Sequence, residues 1–442
     1  MPSPDKRLPA ARRLVAHLAE HLQVPLSVRL WTGEVLPLGP DAPSDLLLAV
    51  NAPEALTRLV RRPRLPTLVE LIAAGDLRIE GGTLLDLAAR RGTLNRKGLL
   101  KRLDKRLLAR TLWPFLVGPG GREAGGHAYA GAAPERDRAG RDNKALVQFH
   151  YDLSNAFYRL FLDPEMVYSC AYFPRWDASL EEAQVAKLDM ICRKLRLQPG
   201  ERFLDIGCGW GGLVCHAARH HGVEAHGVTL SEAQFEFAKE KIRRLGLQDR
   251  VFVELKDYRA VEGQYDKIAS IGMFEHVGLA NRPAYFSKMR DLLRPRGLLL
   301  NHAITRPAKR NDKAFRRKRP EYAAIVNYVF PGSELDHVGG SVQALERHGF
   351  EVHDVEGWRE HYARTTRLWC ERLYARREEA EAEVGAAKTR LWLLYLAGVS
   401  LGFERGTIGI FQTLASKRAR GASGLPPTRA DLYAPSSATD PR

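Results

Sequence analysis

The chain has 442 residues, 45% of them hydrophobic, and 68 Lys and Arg stand against 52 Asp and Glu for a formal net charge of +16. That length and apolar content suffice for two packed domains and exclude a disordered chain, while the charge calls for an acidic partner class, nucleic acid or anionic lipid. Five cysteines, Cys170, Cys192, Cys208, Cys215 and Cys370, form no CxxC pair and are odd in number, which argues against a disulfide framework or a structural metal and fits a reducing cytoplasm.

In chain order, MPSPDKRLPAARRLVAHLAEHL lacks the continuous apolar core of a secretory signal and patterns as a basic amphipathic helix, so a cytoplasmic location is expected. LSVRLWTGEVLPL alternates like strand, DLLLAVNAPEALTRLV is more continuously apolar, and PTLVELIAAGDLRIEGGTLLDLAAR suggests a helix, a turn and a further helix. Residues 1–117 thus read as a small α+β domain. Residues 118–142, dense in Gly, Ala and charge without apolar periodicity, read as a flexible linker. Across 143–417 strand and helix patterns alternate, which implies a doubly wound α/β domain with strands in RFLDIG, EAHGVTL, RVFVELK, YDKIASIG and GLLLNHAIT. Its ligands should gather at the carboxyl ends of those strands. The run LWLLYLAGVSLGF at 391–403 is shorter than the ~20 apolar residues of a bilayer span, and is expected to line a core or an acyl-chain pocket. Residues 418–442, rich in Ser, Pro, Ala and Arg, read as a disordered tail.

FLDIGCGWGGL at 203–213 reads as a buried strand entering a glycine turn, where backbone can approach a ligand closely. A dinucleotide site needs Asp or Glu at the end of the next strand to hold ribose hydroxyls. Here that strand ends in Thr229-Leu230-Ser231, so NAD is disfavoured. No Lys-Ser or Lys-Thr follows the glycines, so a P-loop fails as well. S-adenosylmethionine (SAM) remains, because it needs close glycine backbone and polar groups but no phosphate cradle. Asp257 and Tyr258 follow the third strand, where adenine can be hydrogen-bonded and stacked.

With these residues in view, the chain resembles the cyclopropane-fatty-acid synthase and mycolic-acid cyclopropane synthase family of SAM-dependent methyltransferases. The matching phrases are FHYDLSNAFYRLFLD, YSCAYF, LDIGCGWGG, VTLSEAQ, SIGMFEHVG, NHAIT, YVFPGSEL and EHYARTTRLW, in the family's order over residues 143–417. The resemblance implies a class I SAM-methyltransferase sheet. More weakly, it likens residues 1–117 to the lipid-binding-like N-terminal domain of the longer bacterial enzymes, with roles in lipid binding or dimerisation. It assigns SAM to Tyr168, Ser169, Gly207, Gly209, Thr229, Leu230, Gln234 and Tyr258, the last standing where the family often has Trp. Trp210 in the glycine turn is expected to pack on a helix rather than touch cofactor.

The implied reaction is methyl transfer to a cis double bond, which leaves a carbocation that water would quench, so the site must be dry and must place a base. In the resembled family that base is a bound bicarbonate ion. Motif matching gives its ligands as Cys170, Glu275, His302, the backbone of Ile304, and Tyr362. Each has a plainer reading: a small buried thiol, a polar cap, a core histidine, a strand residue, a packed tyrosine. Only the joint pattern overturns these. A carboxylate beside an anion repels it, so Glu275 should be protonated or should accept from the bicarbonate hydroxyl.

The expected function is therefore that of a cyclopropane-fatty-acyl-phospholipid synthase, with a related fatty-acid C-methyltransferase giving methylene or methyl-branched chains as the alternative. The expected substrate is an unsaturated phospholipid of the inner leaflet, met peripherally by a homodimer. The basic runs at 89–110 and 308–320 would face that membrane. A nucleic-acid methyltransferase lacks its base-methylation loop and stacking aromatics here, so no nucleic-acid partner is expected. A noncatalytic lipid-transfer protein fits residues 1–117 alone.

Overall fold

The computed structural model describes residues 5–40, 42, 45–90, 103–119, 153–317 and 333–433. Most of the expected linker, the HYD of the first matching phrase, YVFPG, and parts of both basic runs lie outside the described residues. The chain divides into two units. The first takes the described residues through Pro119 and Trp369–Leu401; the second takes the remaining described residues.

In the first unit a four-stranded sheet has the order β2-β1-β3-β4, with β1 at Ser27–Arg29, β2 at Val35–Pro37, β3 at Leu47–Val50 and β4 at Leu77–Glu80. The alternating segment makes the β1–β2 hairpin, and Gly33 supplies the left-handed residue of its turn at φ +86°. Helices Arg7–Leu22, Pro53–Arg61, Leu65–Ala74 and Lys105–Val117 bury Ala11, Val15, Ala55, Leu71 and Phe115 over the sheet. The amphipathic N-terminal segment is helical, and its apolar stripe is spent on this core. One expectation is corrected: LRIE is strand β4, paired antiparallel with β3, rather than a turn between helices. Five residues between Gly75 and Gly81 are too few for a helix, and the Leu77/Ile79 alternation suits an edge strand.

The second unit carries a seven-stranded sheet of order β10-β11-β9-β8-β5-β6-β7. Its strands are β5 (Arg202–Ile206), β6 (Glu224–Thr229), β7 (Val251–Leu255), β8 (Tyr265–Ile271), β9 (Leu293–Thr305), β10 (Phe350–Gly357) and β11 (Gly409–Lys417). The five expected strands are β5 to β9 and run parallel, while β11 enters antiparallel between β9 and β10. One core packs helices Leu180–Leu195, Gly212–His221 and Glu232–Arg244 on one face; a second packs Arg282–Leu292 and Val338–Arg347 on the other. This is the doubly wound class I methyltransferase fold. The order reverses at β5, between β6 and β8, which opens a crevice at its carboxyl end. Ser179 starts the Leu180–Leu195 helix with a reciprocal capping box to Glu182, a motif worth about 1 kcal/mol.

The apolar run 391–403 lies in helix Ala386–Glu404, where Leu391 packs on Val69 and Ala73 of the first unit. Among the described residues no helix is long and apolar enough to cross a membrane.

The expectation of a disordered tail fails for 418–433. Arg196 pairs with Asp431 at 3.0 Å, Arg429 with Asp354 at 2.8 Å, and Leu432 is 1% exposed. Polar composition concealed one apolar anchor flanked by ion pairs. Leu432→Ala should lower the unfolding free energy by about 2 kcal/mol, read from denaturant midpoints; an unchanged midpoint would show that the tail is not held.

Candidate active site

Every residue assigned to SAM lines one pocket of about 120 Å³ at the carboxyl ends of β5 and β6. Gly207 and Gly209 have φ of +79° and +54°, and a Cβ built on Gly209 would meet no atom within 4 Å. The turn is thus a bare backbone cradle of the kind a cofactor needs. Thr229 Oγ1 donates to Gln234 Oε1 at 2.8 Å, and the Ser231 hydroxyl accepts from the Gln234 N–H, so the rim after β6 is fixed by its own hydrogen bonds. Tyr258 is buried against Tyr285, with ring centroids 5.3 Å apart, and burial pushes its phenol up to about 12. Trp210 packs on Tyr158 and donates to Asn155 at 2.7 Å, as its packing reading requires, yet it also lines the pocket.

Three residues that sequence reasoning missed shape the other side, Lys187 and Asp205 lining the pocket and Gln184 holding a lining segment. Gln184 donates to the carbonyls of Val167 and Ser169, and Lys187 Nζ donates to Ser169 Oγ at 2.9 Å, so one helix face sets the Tyr168–Ser169 segment. Lys187 is 2% exposed. Burial lowers it to about 8 against the opposing pull of Asp163, Cys170 and Asp205. Asp205 also lines the pocket; burial raises it to about 7, and its Oδ1 has no hydrogen-bond partner among the described residues. The signal for both was a charged residue at an apolar position, in AKLDMI and FLDIG.

The five residues assigned to catalysis do not line this pocket; Cys170 and Glu275 adjoin its lining residues Ser169 and His276 in the chain, and His302 pairs with lining Ile271. Cys170 follows Ser169, its Sγ pointing to the carbonyls of Ala171 and Trp358 at 3.3 and 3.8 Å. Glu275 follows Met273 by two residues and accepts from Ile304 N–H at 2.5 Å. Gly272 N–H donates to the His302 carbonyl at 2.8 Å, which ties the pocket edge to β9. The His302 ring stands edge-on to Trp358 at 5.2 Å. Tyr362 sits one helical turn after Trp358, its amide donating to the Trp358 carbonyl and its ring 4.7 Å from Phe403. Trp358, which sequence reasoning missed, therefore links Cys170, His302 and Tyr362.

The protonation of His302 follows from its neighbours. Lys194 Nζ donates to Gln412 Oε1 at 2.7 Å, which fixes the amide so that Gln412 Nε2 donates to His302 Nδ1 at 3.2 Å. Burial holds the imidazole well below its ordinary value, so it is neutral with its proton on Nε2. That nitrogen is buried without a hydrogen-bond partner, as is Glu275 Oε2. Burial raises Glu275 to about 7 although the Ile304 N–H lowers it. The pair therefore offers unspent hydrogen-bonding capacity in a dry site.

The sequence profile described as mycolic acid cyclopropane synthetase matches residues 139–413. The chain belongs to this family. It is a SAM-dependent C-methyltransferase of the cyclopropane-synthase type. A probable fatty acid methyltransferase of Pseudomonas putida is 38% identical, with 94% of this chain and 98% of that protein aligned. Cyclopropane mycolic acid synthase 1 of Mycobacterium tuberculosis is 37% identical over 62% of this chain and 97% of its own length. A solved mycolic acid cyclopropane synthase complexed with SAH and CTAB superposes with a TM-score of 0.59 at 35% identity, covering 63% of this chain and all of that one. In this family member the cradle, the buried wall and the matched motifs agree on SAM as cofactor.

Glu275 gives the site a pH signature. Its folded value, about 7, lies above the ordinary 4.5. The stability from burying the neutral acid is complete below pH 4.5 and lost as pH rises to about 7, on the order of 3 kcal/mol. Glu275→Gln, which stays neutral, should gain that amount on wild type between pH 4.5 and 8 in denaturant unfolding. A pH-independent difference would show an ordinary carboxylate.

Proposed function

We propose that the protein transfers the SAM methyl to a cis double bond of a phospholipid acyl chain and closes a cyclopropane ring. The observation that carries this reading is the placement of buried Cys170, Glu275 and His302 beside segments that line the SAM pocket, with two of their polar atoms unspent. The alkene π pair attacks the sulfonium methyl, the S–C bond breaks to leave S-adenosylhomocysteine, and a carbocation remains. Loss of one proton from the new methyl lets its C–H pair close the third ring bond. Burial of the cluster keeps water from that cation.

Bicarbonate, when bound, supplies the base for that proton. The donor set fits an oxyanion: His302 presents Nε2–H, and Glu275, held near neutrality, offers a hydroxyl from Oε2 when protonated. The Ile304 N–H is engaged by Glu275, so it supports the carboxyl rather than standing free. Cys170 lends a neutral thiol, since burial keeps its pKa well above the ordinary range.

The phospholipid belongs to the inner leaflet in this reading. A cytoplasmic homodimer meets it peripherally, drawn by the net charge of +16, and nucleic acid is no partner. One observation favours a second product. The relative aligned over 94% of this chain is named a probable fatty acid methyltransferase, and a 34% identical one of Mycobacterium tuberculosis a tuberculostearic acid methyltransferase. In that reading the cation would lose its proton elsewhere, giving a methylene chain, or take hydride from a separate reductant of the reduced-nicotinamide class, giving a methyl-branched one.

Purified protein incubated with labelled SAM and unsaturated phospholipid vesicles should yield a lipid one CH₂ heavier that resists ozonolysis. An ozonolysis-sensitive product of that mass identifies the methylene outcome, and a saturated branched chain the reductive one. Glu275→Gln and His302→Ala should each lower kcat about 100-fold or more while leaving SAM affinity within about threefold. Equal collapse of SAM binding would make both residues structural.

A further inference from the structure

Helix Leu180–Leu195 packs against helix Gly212–His221, and the seam between them holds a cluster of side chains that the methyl transfer does not use. Cys192 is 0% exposed there. Its Sγ, one ring nitrogen of His216 and one of His221 all lie within 4.8 Å of one another. Asp189, one turn before Cys192, brings Oδ1 to 3.7 Å from His221 Nε2, too far for a hydrogen bond. Nε2 of both histidines is buried without a hydrogen-bond partner among the described residues.

Two buried ring nitrogens left without partners beside a buried thiol are unmet polar capacity that a native core rarely leaves unexplained. A borderline-soft divalent cation would meet it. Zn–S bonds of about 2.3 Å and Zn–N bonds of about 2.0 Å set tetrahedral ligand atoms about 3.5 Å apart, so closing this cluster takes about 1 Å of side-chain rotation. Burial, helped by neighbouring His220, holds His216 down to about 3, which leaves its imidazole neutral with a lone pair to give. Burial also raises the Cys192 thiol well above its ordinary range, so it is protonated in the metal-free protein. Forming the metal–sulfur bond sends that proton to solvent and leaves a bound thiolate. Arg193 occupies Asp189 Oδ2 at 2.7 Å, which leaves Oδ1 facing the histidine.

We infer that Cys192, His216 and His221 bind a divalent cation of the zinc class, with Asp189 or water as the fourth ligand. Mg²⁺ and Ca²⁺, which take oxygen donors, do not suit this set. None of these residues lines the SAM pocket. The cation would instead tie the helix that carries Gln184 and Lys187 to the helix that opens at pocket-lining Gly212, cross-linking both sides of the cofactor cradle from outside it. The site stands whichever lipid the catalytic cluster takes. Cysteine spacing pointed away from a metal because it tests only ligands close in the chain, whereas these come from two helices.

The full chain, stripped with a chelator, should be titrated with Co²⁺ by absorption and then competed with Zn²⁺. Wild type should develop the visible bands of four-coordinate cobalt and a near-ultraviolet thiolate-to-cobalt charge-transfer band. Zn²⁺ should erase both and, at roughly a hundredfold excess over its Kd, raise the melting temperature by about 3 °C or more, while Mg²⁺ should not. Cys192→Ser should remove the charge-transfer band. His221→Gln, at a partly exposed helix end, should weaken Co²⁺ binding about tenfold or more. The band assigns the signal, because the other cluster able to hold a metal, His17, Glu20 and His21, has no thiol. If no charge-transfer band forms, if it survives Cys192→Ser, or if His221→Gln leaves the affinity unchanged, the inference is overturned.

Discussion

The site depends on a row of polar side chains lying across three strands. Glu356 on β10 faces Gln412 on β11, which faces His302 on β9, and His302 in turn faces Ile271 on β8 at the pocket edge. Lys194 reaches this row from the Leu180–Leu195 helix, bonded to Glu356 and Gln412 and lying 5.1 Å from the Trp358 ring centre. A buried ammonium is tolerated only with such partners, and they make the row rigid. Since strand side chains alternate faces, a slip of one residue between β9 and β11 would remove Gln412 from His302 and free the imidazole to take either tautomer. The antiparallel insertion of β11 thus has chemical meaning: it delivers the amide that decides which histidine nitrogen carries the proton.

Legibility in the sequence followed the range of the interactions. The cofactor side is made of contiguous phrases, and local patterning found it: the glycine turn, the Thr229 to Gln234 cap and Tyr258 after β7 all reach one pocket. The second layer was not found, because Lys187, Gln184, Lys194 and Gln412 act across distances of 15 to 218 residues. In sequence each is a lone polar residue on an otherwise apolar face. The hint was there in retrospect, since a lysine at a core position of a helix must have a buried partner. Trp358 escaped for another reason: its aromatic bulk looked like ordinary core, and only the fold shows the Cys170 thiol directed at its carbonyl.

The same logic explains what was misjudged about organisation. LWLLYLAGVSLGF is apolar nearly all round, which in a soluble helix means burial on several sides. Its residues through Leu401 count with the N-terminal unit, although the run lies within the stretch matched to the catalytic family. No local signal tells a helix which of two cores will receive it. β4 was similarly missed because its flanking glycines read as punctuation, whereas the pairing that makes it a strand is with β3, about 30 residues earlier.

Burial also answers a hazard of placing an electrophile beside nucleophiles. SAM's methyl would alkylate a thiolate or a free amine more readily than an alkene, and both Cys170 and Lys187 adjoin the Tyr168–Ser169 wall. Desolvation keeps the Cys170 thiol well above its ordinary value, so it stays protonated and unreactive. Lys187 falls only to about 8, because Asp163, Cys170 and Asp205 offset part of its burial, so near pH 7 its lone pair stays occupied. His302 has lost its charge but spends its basic nitrogen on Gln412. The environment that protects a carbocation from water therefore also disarms the protein's own competing nucleophiles. A weak nucleophile such as a double bond can prevail there because the stronger ones are protonated or already bonded.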